Sequence, residues 1–267
     1  MSKNAPIAFI DSGVGGLPYL QWVKDKLPLE NFIYLADTEN FPYGEKPQEE
    51  IVKIVLDAVR KLEVHGDPKM LVMACNTASV TALDSVRKVV KIPVVGVVPA
   101  VKPAAESSEN KRIGVLATER TVKGKYLEEL IDDFASLCHV EKIAGSGIVR
   151  FVENDFFSSD SIEKTKIIEN AVYQFKKMNV DTVVLGCTHF IYISDILKLK
   201  LGKNISVIDS RDGVGNQIIS LLEKDNMFSE LKSEDRFYCT GNAISEVSYR
   251  EFASMFGLSY GGVIGGK

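Results

Sequence analysis

Residues 71–78, LVMACNTA, and residues 183–190, VVLGCTHF, repeat one pattern: an apolar run that ends in a cysteine and then small polar residues. Such a run is typical of a buried parallel strand, so each cysteine is expected at a strand's carboxyl end. Open α/β sheets bind ligands there, and the following helix start can lower the pKa of a thiol. The pattern therefore predicts that the thiols of Cys75 and Cys187 lie where a ligand would bind. Held on either side of one substrate carbon, they could remove a proton from one face and return it to the other.

Apolar β-rich runs alternate with helical patterns along the whole chain. Strands are predicted at 6–10, 31–36, 69–74, 93–98, 112–117, 139–144, 181–186, 205–209 and 236–240. Apolar residues at helical spacing predict helices at 47–64, 121–134, 161–178 and 212–222. This alternation predicts an α/β protein in which helices cover both faces of parallel sheets.

The repeated cysteine motif indicates that a half-molecule occurs twice, because each copy begins a comparable strand–helix unit. At 267 residues, the chain has room for two domains of roughly 100–150 residues each. We therefore expect two parallel-sheet α/β domains with a pseudo-twofold relation and the active site in the cleft between them. The expected domains are 1–97 plus 208–267, which carries Asp11, Ser12 and Cys75, and 98–207, which carries Cys187 and His189.

Composition and charge narrow the class of partner. The net charge is −4 at pH 7 and the isoelectric point is about 5.6, so no basic field exists to hold nucleic acid. A small-molecule substrate is expected instead. No apolar run of membrane-spanning length and no signal peptide are found in the sequence. Four cysteines without a disulfide pattern favour a reducing, cytoplasmic location.

Neither the histidines nor the cysteines form a metal-binding pattern. The three histidines form no paired motif and the four cysteines do not cluster, so no metal site is expected. Cys138 and Cys239 lack the polar setting of the other two and are interpreted as core or incidental residues.

A glycine-rich turn follows the first predicted strand. Residues 11–17, DSGVGGL, could let the backbone approach an anionic ligand at a helix start. The spacing matches neither the dinucleotide fingerprint nor a P-loop. The alternative interpretation is a tight turn in which Asp11 or Ser12 caps the following helix.

Five motifs together resemble the glutamate racemases, within the aspartate/glutamate racemase superfamily. They are DSGVGGL (11–17), PYGEK (42–46), ACNTAS (74–79), GVVPAVKPA (96–104) and LGCTHF (185–190), in the family's order over most of the chain. The resemblance implies two α/β domains facing each other across a cleft, no cofactor, and a cytoplasmic role in supplying D-glutamate for peptidoglycan. It also implies that Cys75 and Cys187 are the two acid/base groups, assisted by Asp11 and His189 respectively.

The resemblance further implies a set of substrate contacts. They are Asp11, Ser12, Tyr43, Gly44, Asn76, Thr77, Thr188 and His189, with Thr118 and Thr121 as weaker members. Asp37 is expected to assist on the Cys187 side. The family's usual Cys-Pro does not precede Glu153, so its role is left open. Small α/β racemases commonly pair, which leaves a homodimer as an open alternative to a monomer.

Other functions remain open at this point. A racemase for aspartate or another acidic amino acid, or a pyridoxal-free decarboxylase of the superfamily, would share the motifs. A cysteine hydrolase or amidase using Cys187 and His189 would leave Cys75 unexplained. A non-catalytic amino-acid-binding protein would be expected to have lost one thiol, and both are present.

Overall fold

A computed structural model describes residues 2–145, 147–241 and 246–265 of the chain. The chain divides into two compact units. Unit 1 comprises Met1–Val97 and Arg211–Lys267, and unit 2 comprises Val98–Ser210. Within the described residues, no helix combines the length and the apolar character needed to cross a membrane.

The two units share one construction, in which parallel strands alternate with helices. The strands are β1 Ile7–Asp11, β2 Phe32–Ala36, β3 Met70–Met73, β4 Val94–Gly96, β5 Arg112–Ala117, β6 His139–Ala144, β7 Thr182–Leu185, β8 Ser206–Ile208, β9 Arg236–Thr240 and β10 Ser259–Ile264. The α-helices are α1 Leu17–Lys26, α2 Gln48–Gly66, α3 Asn76–Val89, α4 Val101–Ser107, α5 Glu119–Val122, α6 Lys125–Phe134, α7 Ile148–Asn154, α8 Ser161–Lys166, α9 Glu169–Lys177, α10 Ser194–Leu201, α11 Arg211–Asp225 and α12 Glu246–Met255. Short 3-10 helices span Thr38–Asn40, Tyr43–Glu45 and Thr188–Ile193.

Unit 1 is built on a six-stranded sheet in the order β10-β9-β2-β1-β3-β4. Every strand pairing in it is parallel. β1, β2 and β3 are buried along their whole length, as expected for strands covered on both faces. On one face lies α2, which buries residues at helical spacing, namely Ile51, Val55, Ala58, Val59 and Leu62.

Unit 2 is built on a four-stranded parallel sheet in the order β6-β5-β7-β8. Its central strands β5 and β7 carry the most buried side chains, while the edge strand β6 is mostly half-buried. The apolar residues of α4 and α6 pack against β5 and β7 to form a core. The predicted fold class, an α/β protein with two parallel sheets, is confirmed.

The structure differs from the local predictions in several places. The helix predicted at 161–178 is two helices, α8 and α9, which are separated at Ile167 and Ile168, and Ile168 is fully buried. Ile162, expected on a buried stripe, is 73% exposed. The helix predicted at 121–134 is also divided, since Gly124 has an extended backbone between α5 and α6. Strand β10, SYGGVI, was not predicted, because its two glycines interrupt the apolar run.

Candidate active site

The chemically interesting residues of unit 1 gather at the carboxyl edge of its sheet. β1 ends at Asp11, β2 ends one residue before Asp37, and β3 ends two residues before Cys75. The backbone N–H of Asp37 donates to the carbonyl of Asp11 at 2.8 Å, and that of Ala74 donates to the carbonyl of Ile10 at 2.8 Å. The parallel register therefore brings three predicted site segments to adjacent strand ends.

The glycine-rich turn packs directly against the residue before Cys75. A Cβ atom on Gly16 would lie 2.5 Å from the Cβ of Ala74 and 3.0 Å from its carbonyl oxygen. The Gly16 N–H donates to the hydroxyl of Tyr34 at 3.0 Å, and that hydroxyl donates to the carbonyl of Gly13 at 2.8 Å. The missing side chain at Gly16 thus allows the close approach of this turn to the end of β3.

We expect Gly16→Ala to destabilise the protein by about 1–3 kcal/mol, because the added methyl group overlaps Ala74. Urea unfolding would measure the change. Gly213→Ala is the matched control: this helical glycine has no atom within 4 Å of its ideal Cβ, so alanine should stabilise by up to about 1 kcal/mol. Equal unfolding midpoints for Gly16→Ala and the wild type would contradict the close-packing argument.

Cys75 begins the helix α3 as its N-cap residue, and its backbone is extended. Its side chain is 7% exposed, and the adjoining Asn76 and Thr77 are buried. Among the described residues, Asn76 has neither a donor nor an acceptor for its buried side-chain oxygen and nitrogen. Buried amides are nearly always hydrogen-bonded, so an unpaired one beside a thiol at a helix start marks a place for a polar ligand.

Tyr43 lies in the turn after β2 and packs in the part of unit 1 that holds Cys75. Its hydroxyl donates to the carboxylate of Asp37 at 2.6 Å, and its ring packs in the same apolar cluster as Cys75. Burial, and then the charge and hydrogen bond of Asp37, raise the pKa of Tyr43 well above its ordinary value. The phenol therefore keeps its proton at any working pH. Gly44 follows Tyr43 in the same 3-10 helix and is half-buried.

Asp11 and Ser12 form a buried pair at the end of β1. The Ser12 hydroxyl donates to Oδ1 of Asp11 at 3.2 Å, and the N–H of Gly13 approaches the same oxygen at 3.3 Å. The charges of Asp11 and Cys75 both contribute to the raised pKa of Tyr43. Asp11, Tyr43 and Cys75 therefore lie close enough for their charges to affect one another.

Unit 2 presents a second thiol in a comparable setting. Cys187 follows β7, has an extended backbone, and is the N-cap residue of the 3-10 helix Thr188–Ile193. It is 8% exposed, and Thr188 and His189 are buried. Just after the neighbouring β5, the hydroxyls of Thr118 and Thr121 are hydrogen-bonded at 3.0 Å, and both residues are half-buried. The sheet thus brings the predicted site residues of unit 2 to the carboxyl ends of β5 and β7.

His189 connects Cys187 to Glu153. The histidine Nδ1 lies 4.0 Å from the Cys187 sulfur, and Nε2 lies 3.0 Å from Oε2 of Glu153. Both His189 and Glu153 are buried. A carboxylate only accepts hydrogen bonds, so Nε2 is the donor to Glu153, and Nδ1 is the ring nitrogen that faces the Cys187 thiol. The missing Cys-Pro motif put Glu153 in doubt, yet α7 places it against the histidine.

No group of three or more potential metal ligands occurs within the described residues. The geometry instead defines a class of protein: an α/β protein whose two parallel-sheet units each place a thiol and polar groups at a strand's carboxyl end. Ligands bind at the carboxyl ends of strands in such sheets, so both thiols are candidate active-site residues.

Comparison with known proteins gives the family. Residues 20–212 match the Asp/Glu/Hydantoin racemase family, and the chain belongs to it. It is 36% identical over 241 residues to the glutamate racemase of Shewanella loihica, covering 89% of this chain and 88% of the relative. It is 33% identical over 259 residues to the glutamate racemase of Treponema pallidum, covering 96% of each. These findings confirm the resemblance carried by the five motifs.

A solved structure agrees with the sequence relatives. The Escherichia coli glutamate racemase, in complex with L-glutamate and the activator UDP-MurNAc-ala, superposes with a TM-score of 0.88 at 32% sequence identity. The similarity covers 97% of this chain and 98% of that one.

Proposed function

We propose that this amino-acid racemase interconverts L- and D-glutamate without a cofactor, by proton transfer at the α-carbon. Two relatives that match most of the chain are glutamate racemases, and the Escherichia coli structure holds L-glutamate. The product D-glutamate would supply peptidoglycan synthesis in the cytoplasm. A homodimer is part of the proposal, and light scattering after size-exclusion chromatography would test it.

The observation that carries the proposal is the pair of matched cysteines. Each follows a buried strand, has an extended backbone and begins a helix, which leaves one sulfur at each unit's carboxyl edge. In the proposed mechanism the two cysteines act on one substrate. The thiolate of one cysteine removes the α-proton while the thiol of the other donates a proton to the opposite face. The roles exchange for the other enantiomer.

The intermediate carbanion needs fixed hydrogen-bond donors, because the proposed reaction has no electron sink. The Asn76 amide, without a partner among the described residues, can donate to the substrate carboxylate. We also propose substrate contacts for three hydroxyls that lie just after strand ends, those of Ser12, Thr77 and Thr188. Donors held by a helix start need no reorganisation as charge develops, which lowers the barrier.

Each thiol has a proposed assisting group. Asp11 is proposed to orient Cys75 or relay its proton. On the other side, the His189 lone pair can accept the Cys187 proton, after which both ring nitrogens donate, one to the thiolate and one to Glu153. The histidine thereby stores the thiol proton between turnovers.

Glu153→Gln should lower kcat by about tenfold, because an amide neither fixes the His189 tautomer reliably nor stabilises its protonated form. Initial rates with each glutamate enantiomer would measure the effect. Glu141→Gln is the matched control: Glu141 pairs with His139 at 2.6 Å, but that pair lies on the surface. A similar rate for both variants would argue against a role for Glu153.

The direct test is incubation of the purified protein with single amino acids. L-glutamate in deuterium oxide should yield D-glutamate, with deuterium entering the α-position of the product. Aspartate and glutamine, assayed by the same chiral separation, would reveal a different substrate preference. An aspartate rate above the glutamate rate would replace the proposed substrate, and no exchange with any amino acid would overturn the proposed activity.

A further inference from the structure

Thr240 ends strand β9, far along the chain from every site motif, yet its side chain reaches Asp37 at the carboxyl edge of the unit 1 sheet. Its hydroxyl donates to Oδ1 of Asp37 and accepts the backbone N–H of Glu39 at 3.2 Å. Thr240 and Asp37 are both fully buried. With its proton and an oxygen lone pair engaged, the hydroxyl has one defined orientation.

Asp37, which the family resemblance assigns to the Cys187 side, lies in unit 1 with Cys75 and connects Thr240 to Tyr43. The same carboxylate that accepts the Thr240 hydroxyl accepts the Tyr43 hydroxyl at 2.6 Å and the side-chain amide of Asn40 at 3.1 Å. A buried carboxylate is stable only when donors surround it, so each donor restrains the position of the others. Tyr43 and Cys75 pack in one apolar cluster, so fixing the Tyr43 ring also restrains the side chains around that thiol.

We propose that Thr240 is a positioning residue for racemisation, acting through Asp37 on Tyr43 and on the surroundings of Cys75. The inference rests on the proposed function and on the expectation, drawn from the family resemblance, that Tyr43 contacts the substrate. It depends on the pairing of β9 with β2, which sets Cys239 opposite Ala36 and thereby Thr240 beside Asp37. The chain segment that returns to unit 1 after residue 210 thus contributes to the site as well as to the sheet.

Thr240→Val is the principal test, because valine keeps the volume and removes the hydroxyl. We expect kcat/KM for L-glutamate to fall about tenfold, the loss typical of one hydrogen bond to a charged group, with most of the change in KM. Thr240→Ser should restore most of the wild-type value. Failure of serine to restore it, with valine impaired, would overturn the role assigned to the hydroxyl.

Thr38→Val is the matched control. The Thr38 hydroxyl donates to the backbone carbonyl of Thr240, so it ties the same strand end to the same turn without reaching Asp37. We expect its kcat/KM to stay within about twofold of wild type, as for a neutral bond away from the site. If Thr38→Val and Thr240→Val reduce kcat/KM equally, Thr240 serves the fold only and the inference fails.

A double-mutant cycle tests the route through Asp37. Tyr43→Phe removes the hydroxyl that Asp37 holds, so adding Thr240→Val to it should lower kcat/KM by only about twofold instead of about tenfold. Independent, multiplicative losses would contradict the coupling.

A readout without substrate separates this inference from the proposed function. Alkylation of Cys75 by iodoacetamide, followed by peptide mapping in a Cys187→Ser background, should change at least about threefold in Thr240→Val and remain unchanged in Thr38→Val. A wild-type protein inactive on glutamate would refute the proposed function while this alkylation difference stood. An active wild type with equal alkylation in both variants would refute the inference alone.

Discussion

Cys75→Ser and Cys187→Ser should each lower the racemisation rate at least about 10³-fold, because a hydroxyl is a far poorer base than a thiolate at neutral pH. Each variant still holds one thiol that can act as a base on one enantiomer. Elimination from a β-substituted glutamate analogue should therefore persist for a single enantiomer, and the preferred enantiomer should differ between the two variants.

Chiral separation of the products and deuterium incorporation from solvent would measure both effects. Cys138→Ser is the matched control, since Cys138 is a half-buried free cysteine outside the site, and its variant should racemise glutamate at the wild-type rate. Full racemisation by Cys75→Ser or Cys187→Ser would refute the two-thiol mechanism.

Asn76→Leu should stabilise the protein while removing most of its activity. Leucine has the same number and branching of side-chain heavy atoms as asparagine and eliminates a buried amide that has no partner in the described structure, so the free energy of unfolding should rise by about 1–2 kcal/mol. The loss of a donor to the developing carbanion should lower kcat about 10²-fold or more. Urea unfolding and initial rates would measure the two changes.

The matched control is Asn31→Leu. Asn31 is equally buried, but its amide donates to the carbonyls of Asn4 and Leu231, and its oxygen accepts the N–H of Ser233. Removing these bonds leaves buried partners unpaired, so this variant should lose about 1–3 kcal/mol of stability. Destabilisation of the same size by Asn76→Leu would show that Asn76 serves the fold and not a ligand.

Local patterns predicted most of the strands, because a parallel strand that is buried on both faces consists of consecutive apolar residues. PIAFI (6–10) and LVMA (71–74) are apolar throughout, and they cover all but one residue of β1 and of β3. Strand β10 carries two adjacent glycines and lies at a sheet edge, so its strand character comes from pairing with β9 and not from its own residues. The sequence also did not predict the break between α8 and α9, because apolar residues at helical spacing continue on both sides of it.

The sequence by itself determined the α/β class, the two cysteine settings and, through five motifs, the racemase family, because each depends on residues close together in the chain. The tertiary structure alone decided which distant groups complete the site. Glu153 meets His189 across 36 residues, and Thr240 meets Asp37 across 203. The Thr240–Asp37 contact arises because parallel pairing aligns the carboxyl ends of β9 and β2. The Glu153–His189 contact arises because α7 packs against the 3-10 helix that follows β7. No local sequence pattern records either arrangement.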